Sequence, residues 1–488
     1  MSTLKKTMKH LLVWSMLMAV AGSMAAPTLA AENVPNAANN PYAAEEARIH
    51  EVLQTVMEKH LNSQLDVKRL TDGAIRGLLE ETGDLYTTYF TNEEFEEFYN
   101  NLEGTFVGIG VYIQQENNKL LIESVFEGST AAKAGLRAGD EIIAVDGKRV
   151  AGQSIEQVTE WMKGEVGSSI ELTIKRAGKE QIVSLMREAL QFSPVDSVML
   201  DNKIGYMVLY TFSENSAEVF RKHLAKLRKD GMKGLILDLR DNGGGYLDAA
   251  LEIADEFIDK GALVYVKDRS GKRTAIMAKS GAISLPVVVL VNGGTASASE
   301  VLTGALQDYN VAKIVGTKTF GKGTVQELVP LKQGGILKLT IEEYFSPKLR
   351  KINGHGITPD IIVENPNEQV IKAISYLHGS TALVLHSNGT ASVAGIPAGE
   401  SVAKKIDGKW FIALRPFAQL YGCQVYWDAS QEIATMRCGE TVRKYPSKNN
   451  AYVRNEKGVL WLSLEKLDSD FPSILVETRG DNLFVYVK

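Results

Sequence analysis

The sequence predicts an α/β fold in which buried strands alternate with helices. Two apolar runs, residues 235–237 and 287–291, are bounded by glycine or proline, which is typical of strands covered on both faces of a sheet. Each run leads into a glycine-rich turn and then into residues with helical apolar spacing, 247–258 and 299–306. These repeated strand-turn-helix corners favour an α/β domain whose turns carry the functional residues.

Length and composition indicate a protein of several domains. The chain has 488 residues, 44% of them hydrophobic, which allows about three domains with apolar cores. Its formal net charge is -5, with charges of both signs interspersed. No basic stripe is present, so we do not expect nucleic acid as a partner.

A candidate nucleophile and a candidate base lie 25 residues apart and need no histidine. Ser297 follows the second apolar run at the start of a predicted helix, where unpaired backbone N–H groups can form an oxyanion site. Lys322 lies between two glycines and could act as a base if burial lowered its pKa from about 10.4 towards 7. Residue types alone leave two readings open: a Ser-Lys hydrolase, or turns and helix caps with a solvated lysine.

A second glycine cluster, Gly243-Gly244-Gly245, follows the first apolar run. Successive glycines let backbone N–H groups approach a ligand oxygen with no side chain in the way. An ordinary strand-to-helix turn is the alternative, and a lone glycine triplet would favour it. The combination of two such corners with one isolated lysine favours a catalytic site.

The two corners and the isolated lysine lie in three sequence motifs. In chain order these are Asp238-Leu239-Arg240-Asp241-Asn242-Gly243-Gly244, Thr295-Ala296-Ser297-Ala298-Ser299-Glu300 and Thr319-Phe320-Gly321-Lys322-Gly323-Thr324-Val325-Gln326. They resemble the motifs of the C-terminal processing peptidases, the tail-specific serine proteases of family S41. The resemblance extends from about residue 43 to residue 376. It implies a ClpP/crotonase-like serine protease core over residues 189–376 and an endopeptidase that needs neither a cofactor nor a metal.

The same resemblance assigns roles to individual residues. Ser297 would be the nucleophile, Lys322 the general base, and Gln326, one helical-type step beyond the lysine, the residue that orients the base. The 25-residue interval favours Ser297 over Ser299 as the nucleophile. The implied oxyanion-hole donors are the backbone N–H groups of Ala298 and of Gly243 or Gly244.

Residues 104–188 resemble a PDZ domain inserted before the catalytic core. Such domains hold the C-terminal carboxylate of a peptide on a glycine-apolar-glycine loop, and the peptide adds to the sheet as a strand. Val158 and Met162, on a predicted helix, either line the groove or pack in the core. The resemblance implies protein or peptide substrates bound by their C-terminus, and its loop residues are Gly108, Ile109 and Gly110.

The first 31 residues have the layout of a secretory signal peptide, with early lysines, an apolar run at 11–21 and small residues before the expected cleavage site. The run is shorter than a spanning helix needs, although an uncleaved membrane anchor is the alternative. Either way, we expect an extracytoplasmic protein that is secreted or associated with the cell envelope.

Residues 43–103 are predicted to form a helical region. Residues 45–61 carry an apolar stripe at helical spacing, suited to packing within the chain or to pairing with a partner helix. In the resembled family such helices help to build dimers, which implies a homodimer. An aromatic turn at residues 84–90 also resembles the family, and we interpret it as structural.

Residues 381–488 show short strands and turns, and they resemble the small module named after the copper amine oxidase N-terminal domain. All seven histidines of the chain lie at or before His386, so we do not expect a copper site. Attachment to the cell envelope, partner binding, dimer extension and a merely stabilising role remain open for this module.

Both cysteines of the chain, Cys423 and Cys438, flank a predicted hairpin over residues 425–437, so the two strand ends should meet. An oxidising compartment favours a disulfide between them, and two buried free thiols are the alternative. Because both cysteines are remote from the catalytic motifs, we do not expect a thiol mechanism.

Two other classes of function are alternatives. A tail-binding scaffold would keep the PDZ loop but would lack an aligned Ser-Lys pair. A crotonase-like enzyme acting on thioesters would share the strand-turn-helix corners and the glycine-built hole, but the export signal and the PDZ insertion disfavour it.

Overall fold

The computed structural model describes residues 40–116, 119–200, 203–279, 282–378, 383–393, 396–397, 402–471 and 474–487. The predicted signal peptide lies outside the described residues. The chain divides into two compact units, residues 1–75 and 76–488. Within the described ranges, no helix is both long and apolar enough to cross a membrane.

The helical prediction for the N-terminal region is confirmed with one exception. Its helices are α1 (Ala43–Lys59), α2 (Val67–Glu80) and α3 (Asn92–Glu103). The exception is a strand, β1 (Thr88–Phe90), because this β-branched and aromatic tripeptide follows a turn and pairs with a sheet of the catalytic region. In α1 the apolar stripe is exposed, with Ile49 at 54% and Val52 at 59% of their full accessibility.

The PDZ-like region is a separate small sheet with its own core. Its elements are β2 (Thr105–Gly108), β3 (Val111–Glu116), β4 (Lys119–Val125), α4 (Thr130–Lys133), β5 (Glu141–Val145), β6 (Lys148–Arg149), α5 (Ile155–Met162), β7 (Ser169–Arg176), β8 (Lys179–Met186) and β9 (Glu188–Gln191). The strands run in the order β3-β4-β5-β7-β8, with β6 beside β5, so β3 is an edge strand. The antiparallel pair of β2 and β9 joins both ends of this region to the rest of the chain.

The catalytic region contains two sheets. Its elements are β10 (Val195–Met199), β11 (Ile204–Leu209), α6 (Ser216–Lys229), β12 (Gly234–Asp238), α7 (Leu247–Asp255), β13 (Ala262–Lys267), β14 (Arg273–Met277), β15 (Val287–Val291), α8 (Ala298–Asp308), β16 (Ala312–Gly316), β17 (Thr324–Pro330), β18 (Ile336–Phe345), β19 (Ile361–Ile362) and α9 (Pro366–His378). The predicted α/β fold is confirmed by a sheet in the order β10-β11-β12-β15-β16-β19, parallel except for β10. Helices α6, α7 and α8 cover one face of this sheet and α9 covers the other.

The second sheet of the catalytic region places an N-terminal strand beside the loop that carries Lys322. Strand β18 pairs along one edge with β17 and along the other with β1 and β13, and β14 follows β13. The register sets Thr88 opposite Lys338. Segments before and after the PDZ region therefore meet in one sheet.

The C-terminal region is built mainly from short antiparallel strands. Its elements are β20 (Leu383–Leu385), β21 (Ala391–Val393), β22 (Ile396–Pro397), β23 (Ala403–Ile406), β24 (Lys409–Ala413), α10 (Leu414–Leu420), β25 (Gln424–Asp428), β26 (Ile433–Cys438), β27 (Thr441–Pro446), β28 (Val453–Glu456), β29 (Val459–Ser463), α11 (Leu464–Asp470), β30 (Ile474–Arg479) and β31 (Asn482–Val487). The predicted hairpin is the pair β25 and β26, and Cys423 and Cys438 at its ends form a disulfide.

This C-terminal region shares an apolar core with the catalytic sheet. Val288 and Leu290 of β15, Ile374 of α9 and Phe417 of α10 belong to one cluster of buried side chains. Helix α9 lies between the sheet and α10. Removing the C-terminal region would therefore expose an apolar surface of α9, which favours the stabilising role among the alternatives.

We predict that Phe417→Ala destabilises the catalytic region as well as the C-terminal one. The side chain is 1% exposed, so its loss should lower the free energy of unfolding by about 3–5 kcal/mol. Calorimetry of the full chain should show the transition of the catalytic region at lower temperature. Tyr426→Ala, at a 56% exposed aromatic residue, is the control and should leave the transition in place. A catalytic transition unmoved in Phe417→Ala would show that the two regions are energetically independent.

Candidate active site

Ser297 occupies a strained turn between β15 and α8. Its φ is 56° and its ψ is -119°, in the region that residues with a Cβ rarely adopt. Thr295 holds the turn, because its buried hydroxyl donates to the carbonyl of Leu239 at 2.8 Å and accepts from the N–H of Asn292 at 3.0 Å. The strand-to-helix corner predicted for Ser297 is confirmed, and neighbouring side chains fix its geometry.

Ser299 is engaged elsewhere. Its side chain is fully buried, and its hydroxyl donates to the carbonyl of Asn242 at 2.9 Å. Ser297, by contrast, is partly exposed. The geometry therefore favours Ser297 as the reactive hydroxyl of this motif.

The carboxylate of Glu300 connects the turn of Ser297 to the loop of Lys322. Oε2 accepts from the N–H of Ser297 at 3.0 Å and from the N–H of Lys322 at 2.8 Å. Oε1 accepts from the hydroxyl of Thr319 at 2.5 Å and from the N–H of Gly321 at 2.8 Å. Burial raises the pKa of this fully enclosed carboxyl, although all four hydrogen bonds act in the opposite direction. The contacts of Glu300 with the loop of Lys322 were not predicted from the sequence.

Lys322 is partly buried beneath an aromatic ring. Its Nζ lies 5.1 Å from the ring centroid of Tyr86. Burial, and then the positive charge of Lys338, lower the pKa of Lys322 to about 8, against the opposing effects of Asp84 and Glu300. Among the described residues, Nζ forms no hydrogen bond with Ser297. The structure thus brings the two backbones together, and its described contacts include no hydrogen bond between the two side chains.

Tyr344 is a site residue that the sequence reasoning missed. Its side chain is fully buried, and its hydroxyl donates to the carbonyl of Lys322. The phenol also lies near the side chain of Ser297. The contact of Tyr344 with the lysine loop could have been predicted only from the register of the β17–β18 hairpin. This register places Tyr344 beside Gly323, the residue after Lys322.

The aromatic turn interpreted as structural forms a wall of the site, so that interpretation was incomplete. Asp84 accepts from the hydroxyl of Thr87 at 2.6 Å and from the N–H of Tyr86 at 3.1 Å, which fixes the turn. The hydroxyl of Thr87 also accepts from the N–H of Thr340 in β18 at 3.1 Å. These bonds hold the ring of Tyr86 next to Lys322.

The expected helical step from Lys322 to Gln326 is wrong, because residues 324–330 form strand β17. The Gln326 amide donates to the hydroxyls of Thr324 at 2.9 Å and Thr340 at 3.2 Å. No hydrogen bond between Gln326 and Lys322 occurs in the described part of the chain. In this structure Gln326 therefore braces the β17–β18 hairpin.

Asn242 decides which glycine can serve an oxyanion hole. Its side-chain oxygen accepts from the N–H of Gly244 at 2.9 Å, so that N–H is not available and Gly244 is the wrong member of the predicted pair. The N–H groups of Gly243 and Ala298 have no acceptor within the described ranges. Gly244, with φ at 105°, lies so close that an added Cβ would be 2.8 Å from the Cβ of Ser297. Glycine is required there for the approach of the two loops, and Gly243 and Ala298 remain as candidate donors.

The PDZ loop offers free backbone donors, whereas its groove residues are enclosed. The N–H groups of Ile109 and Gly110 meet no acceptor among the residues that the structure describes. At Gly110 an added Cβ would lie 2.3 Å from the Cβ of Ser129, which requires glycine. Gly108 continues β2 opposite Glu188. Val158 at 0% and Met162 at 7% exposure belong to the PDZ core, which favours core packing over groove lining.

Two family models match the chain: Peptidase family S41 over residues 203–363, and a PDZ domain over residues 121–176. A carboxy-terminal-processing protease of Bartonella bacilliformis is 36% identical over 354 residues, which cover 70% of this chain and 80% of the relative. A Staphylococcus aureus (strain N315) protein named "Probable CtpA-like serine protease" is 38% identical over 314 residues. That alignment covers 63% of this chain and 63% of the relative.

Among solved structures, a photosystem II D1 C-terminal processing protease is 30% identical with a TM-score of 0.41. The match covers 66% of this chain and 93% of that one. Together, the matched family model and the relatives of more than 30% identity show that the chain belongs to peptidase family S41.

Proposed function

We propose that the chain is a serine endopeptidase in which Ser297 is the nucleophile and Lys322 the general base. The observation that carries the proposal is the carboxylate of Glu300, which binds the N–H groups of both residues and so holds them side by side. Membership of family S41 and the lowered pKa of Lys322 support it. Protein tails presented by the PDZ domain are the proposed substrates.

In the proposed reaction, neutral Lys322 accepts the proton of Ser297 as Oγ attacks the scissile carbonyl carbon. The lysine then gives the proton to the leaving amine, and water hydrolyses the acyl-enzyme. Backbone N–H groups of Gly243 and Ala298 would stabilise the oxyanion. Attack requires the hydroxyl of Ser297 to come within hydrogen-bond distance of Nζ of Lys322.

Substrate tails would bind along the edge strand β3. This strand is unpaired on its outer side in the described PDZ sheet, and α5 packs beside it. An added peptide strand there would direct its terminal carboxylate to the free N–H groups of Ile109 and Gly110. Tilting of the PDZ domain over the site on binding could then gate Lys322.

We place the enzyme outside the cytoplasm, as the predicted signal peptide and the Cys423–Cys438 disulfide favour. The exposed stripe of α1 supports a homodimer, and the C-terminal region remains a candidate for cell-envelope attachment alongside its stabilising contacts. We also propose that residues 381–488 form a copper amine oxidase N-terminal-like module.

We predict that Ser297→Ala and Lys322→Ala each abolish proteolysis. Residues 32–488 would be incubated with an unstructured protein, and the fragments would be read by mass spectrometry. Each variant should lower the rate by at least about 10³-fold, because nucleophile and base act as a unit. Lys318→Ala, at an exposed lysine in the same loop, is the control and should retain full activity. Undiminished cleavage by Ser297→Ala would overturn the mechanism, and an inactive wild type would favour the tail-binding scaffold.

We predict that Glu300→Gln lowers kcat by about 10–100-fold and also lowers the melting temperature. A glutamine keeps one acceptor oxygen and turns an NH2 group towards backbone donors, and hydrogen bonds to charged groups contribute about 1.5–3 kcal/mol each. Steady-state cleavage and calorimetry would measure both effects. Glu327→Gln, at an exposed carboxylate on β17, makes the same chemical change without these contacts. Equal activity of the two variants would show that the site does not depend on the Glu300 hydrogen bonds.

We predict that tail binding needs a free peptide carboxylate. Fluorescence anisotropy with the full-length Ser297→Ala variant would compare one apolar-ended peptide with a free C-terminus and the same peptide as its amide. The amide should bind at least about tenfold more weakly, because it loses a charge-assisted contact with the loop. Equal affinities would argue against carboxylate recognition by residues 108–110.

A further inference from the structure

Lys338 is a second partly buried lysine, and its charge acts on Lys322. It lies on β18, and its Nζ is 5.5 Å from the ring centroid of Phe90 and 5.1 Å from that of Phe98. Within the described ranges, no carboxylate oxygen lies within 4 Å of it. A partly desolvated ammonium without a close counter-charge is costly, and the two aromatic faces offset part of that cost.

The sheet register fixes this charge beside the base. Thr88 pairs with Lys338, so the turn before β1, which carries Tyr86, lies next to the same stretch of β18. Lys322 has its Nζ over the ring of Tyr86. The register therefore places Lys338 next to the turn whose tyrosine ring lies by Nζ of Lys322.

The charged and titratable groups that face Lys322 come from every surrounding element. Lys338 of β18 is a cation that opposes the protonation of Lys322, whereas Asp84 before β1 and Glu300 of α8 favour it. Two phenols complete the surroundings, Tyr86 beside Nζ and Tyr344 at the carbonyl of Lys322. Lys338 is thus the nearby cation that opposes the two carboxylates.

We propose that Lys338 is a positioning residue that acts through Lys322, as a nearby positive charge that favours the neutral, proton-accepting form of the base. An adjacent cation is an established way to activate a lysine in a partly dry site. This inference rests on the proposed Ser-Lys function and deepens it. It also gives a role to Lys338, whose aromatic surroundings, as far as the structure describes them, provide no close carboxylate.

The direct test is the titration of Lys322 by NMR in the full-length Ser297→Ala chain with lysines labelled with carbon-13 at Cε. The Lys322 signal would be assigned by its loss in Lys322→Arg. With Lys338 present the midpoint should lie near pH 8. Lys338→Met should move it upwards by about one pH unit, because removing a nearby like charge stabilises the protonated form. Lys338→Arg should restore the original midpoint, and Asp84→Asn should move it downwards.

The matched control is Lys351→Met, which removes the same charge from a lysine paired with Glu343 at 3.1 Å. It should leave the midpoint of Lys322 unchanged.

A second experiment measures the rate at which a fluorophosphonate labels Ser297 as a function of pH, in chains that keep this serine. The midpoints of these rate profiles should rank the Lys338 variants in the same order as the NMR midpoints. At pH 7 Ser297 of the Lys338→Met variant should be labelled about tenfold more slowly, because raising the pKa of Lys322 by one unit lowers its neutral fraction about tenfold.

An unmoved Lys322 midpoint in folded Lys338→Met would overturn the inference. So would a variant that changes only KM for tail substrates, because Lys338 would then contact substrate directly. Failure of the proposed function has a different signature: Ser297 would not react with the fluorophosphonate at any pH, whereas the NMR titration would still report whether Lys338 acts on Lys322.

Discussion

The geometry of the proposed active site depends on one buried carboxylate. Glu300 accepts hydrogen bonds from the N–H groups of Ser297, Gly321 and Lys322 and from the hydroxyl of Thr319. The two loops follow neighbouring parallel strands, β15 and β16, whose carboxyl ends meet at one edge of the sheet. The sheet brings the loops close and the carboxylate fixes their main chains. Alignment of the side chains of the proposed nucleophile and base is a separate step, since Glu300 holds only their main chains and Nζ of Lys322 lies 5.1 Å from the ring centroid of Tyr86.

The surroundings of the base come from two distant parts of the chain. The S41 model matches residues 203–363, yet Tyr86 and the phenylalanines beneath Lys338 precede the PDZ region. Strand β1 joins these parts by pairing with β18. The PDZ region is thus inserted between two segments that both build the site, and its β2–β9 ribbon follows α3, the helix that supplies Phe98.

The features that were predicted correctly are those that depend on short segments of the sequence. The strand-turn-helix corners, the positions of Ser297 and Lys322 and the Cys423–Cys438 hairpin could all be read from short segments. Tyr344 could not, because its role depends on the register of a hairpin. Gln326 was assigned a helical step where β17 forms, since pairing with β18 outweighs local spacing. Gly244 was wrongly predicted as an oxyanion-hole donor, because its N–H donates to the side-chain oxygen of Asn242. A sequence motif does not reveal such a contact.

The pKa of Lys322 reflects a balance of opposing effects. Burial and Lys338 favour the neutral amine, whereas Asp84, Glu300 and the face of Tyr86 favour the ammonium. A lysine buried without these carboxylates would be a weaker proton acceptor, and one without the second cation would have a smaller neutral fraction at neutral pH. With a pKa of about 8, the amine can accept the serine proton and the resulting ammonium can still return it to a leaving group. The proposed acyl transfer by a serine and a lysine requires proton transfer in both directions, and aromatic surroundings with charges of both signs would supply it without a histidine.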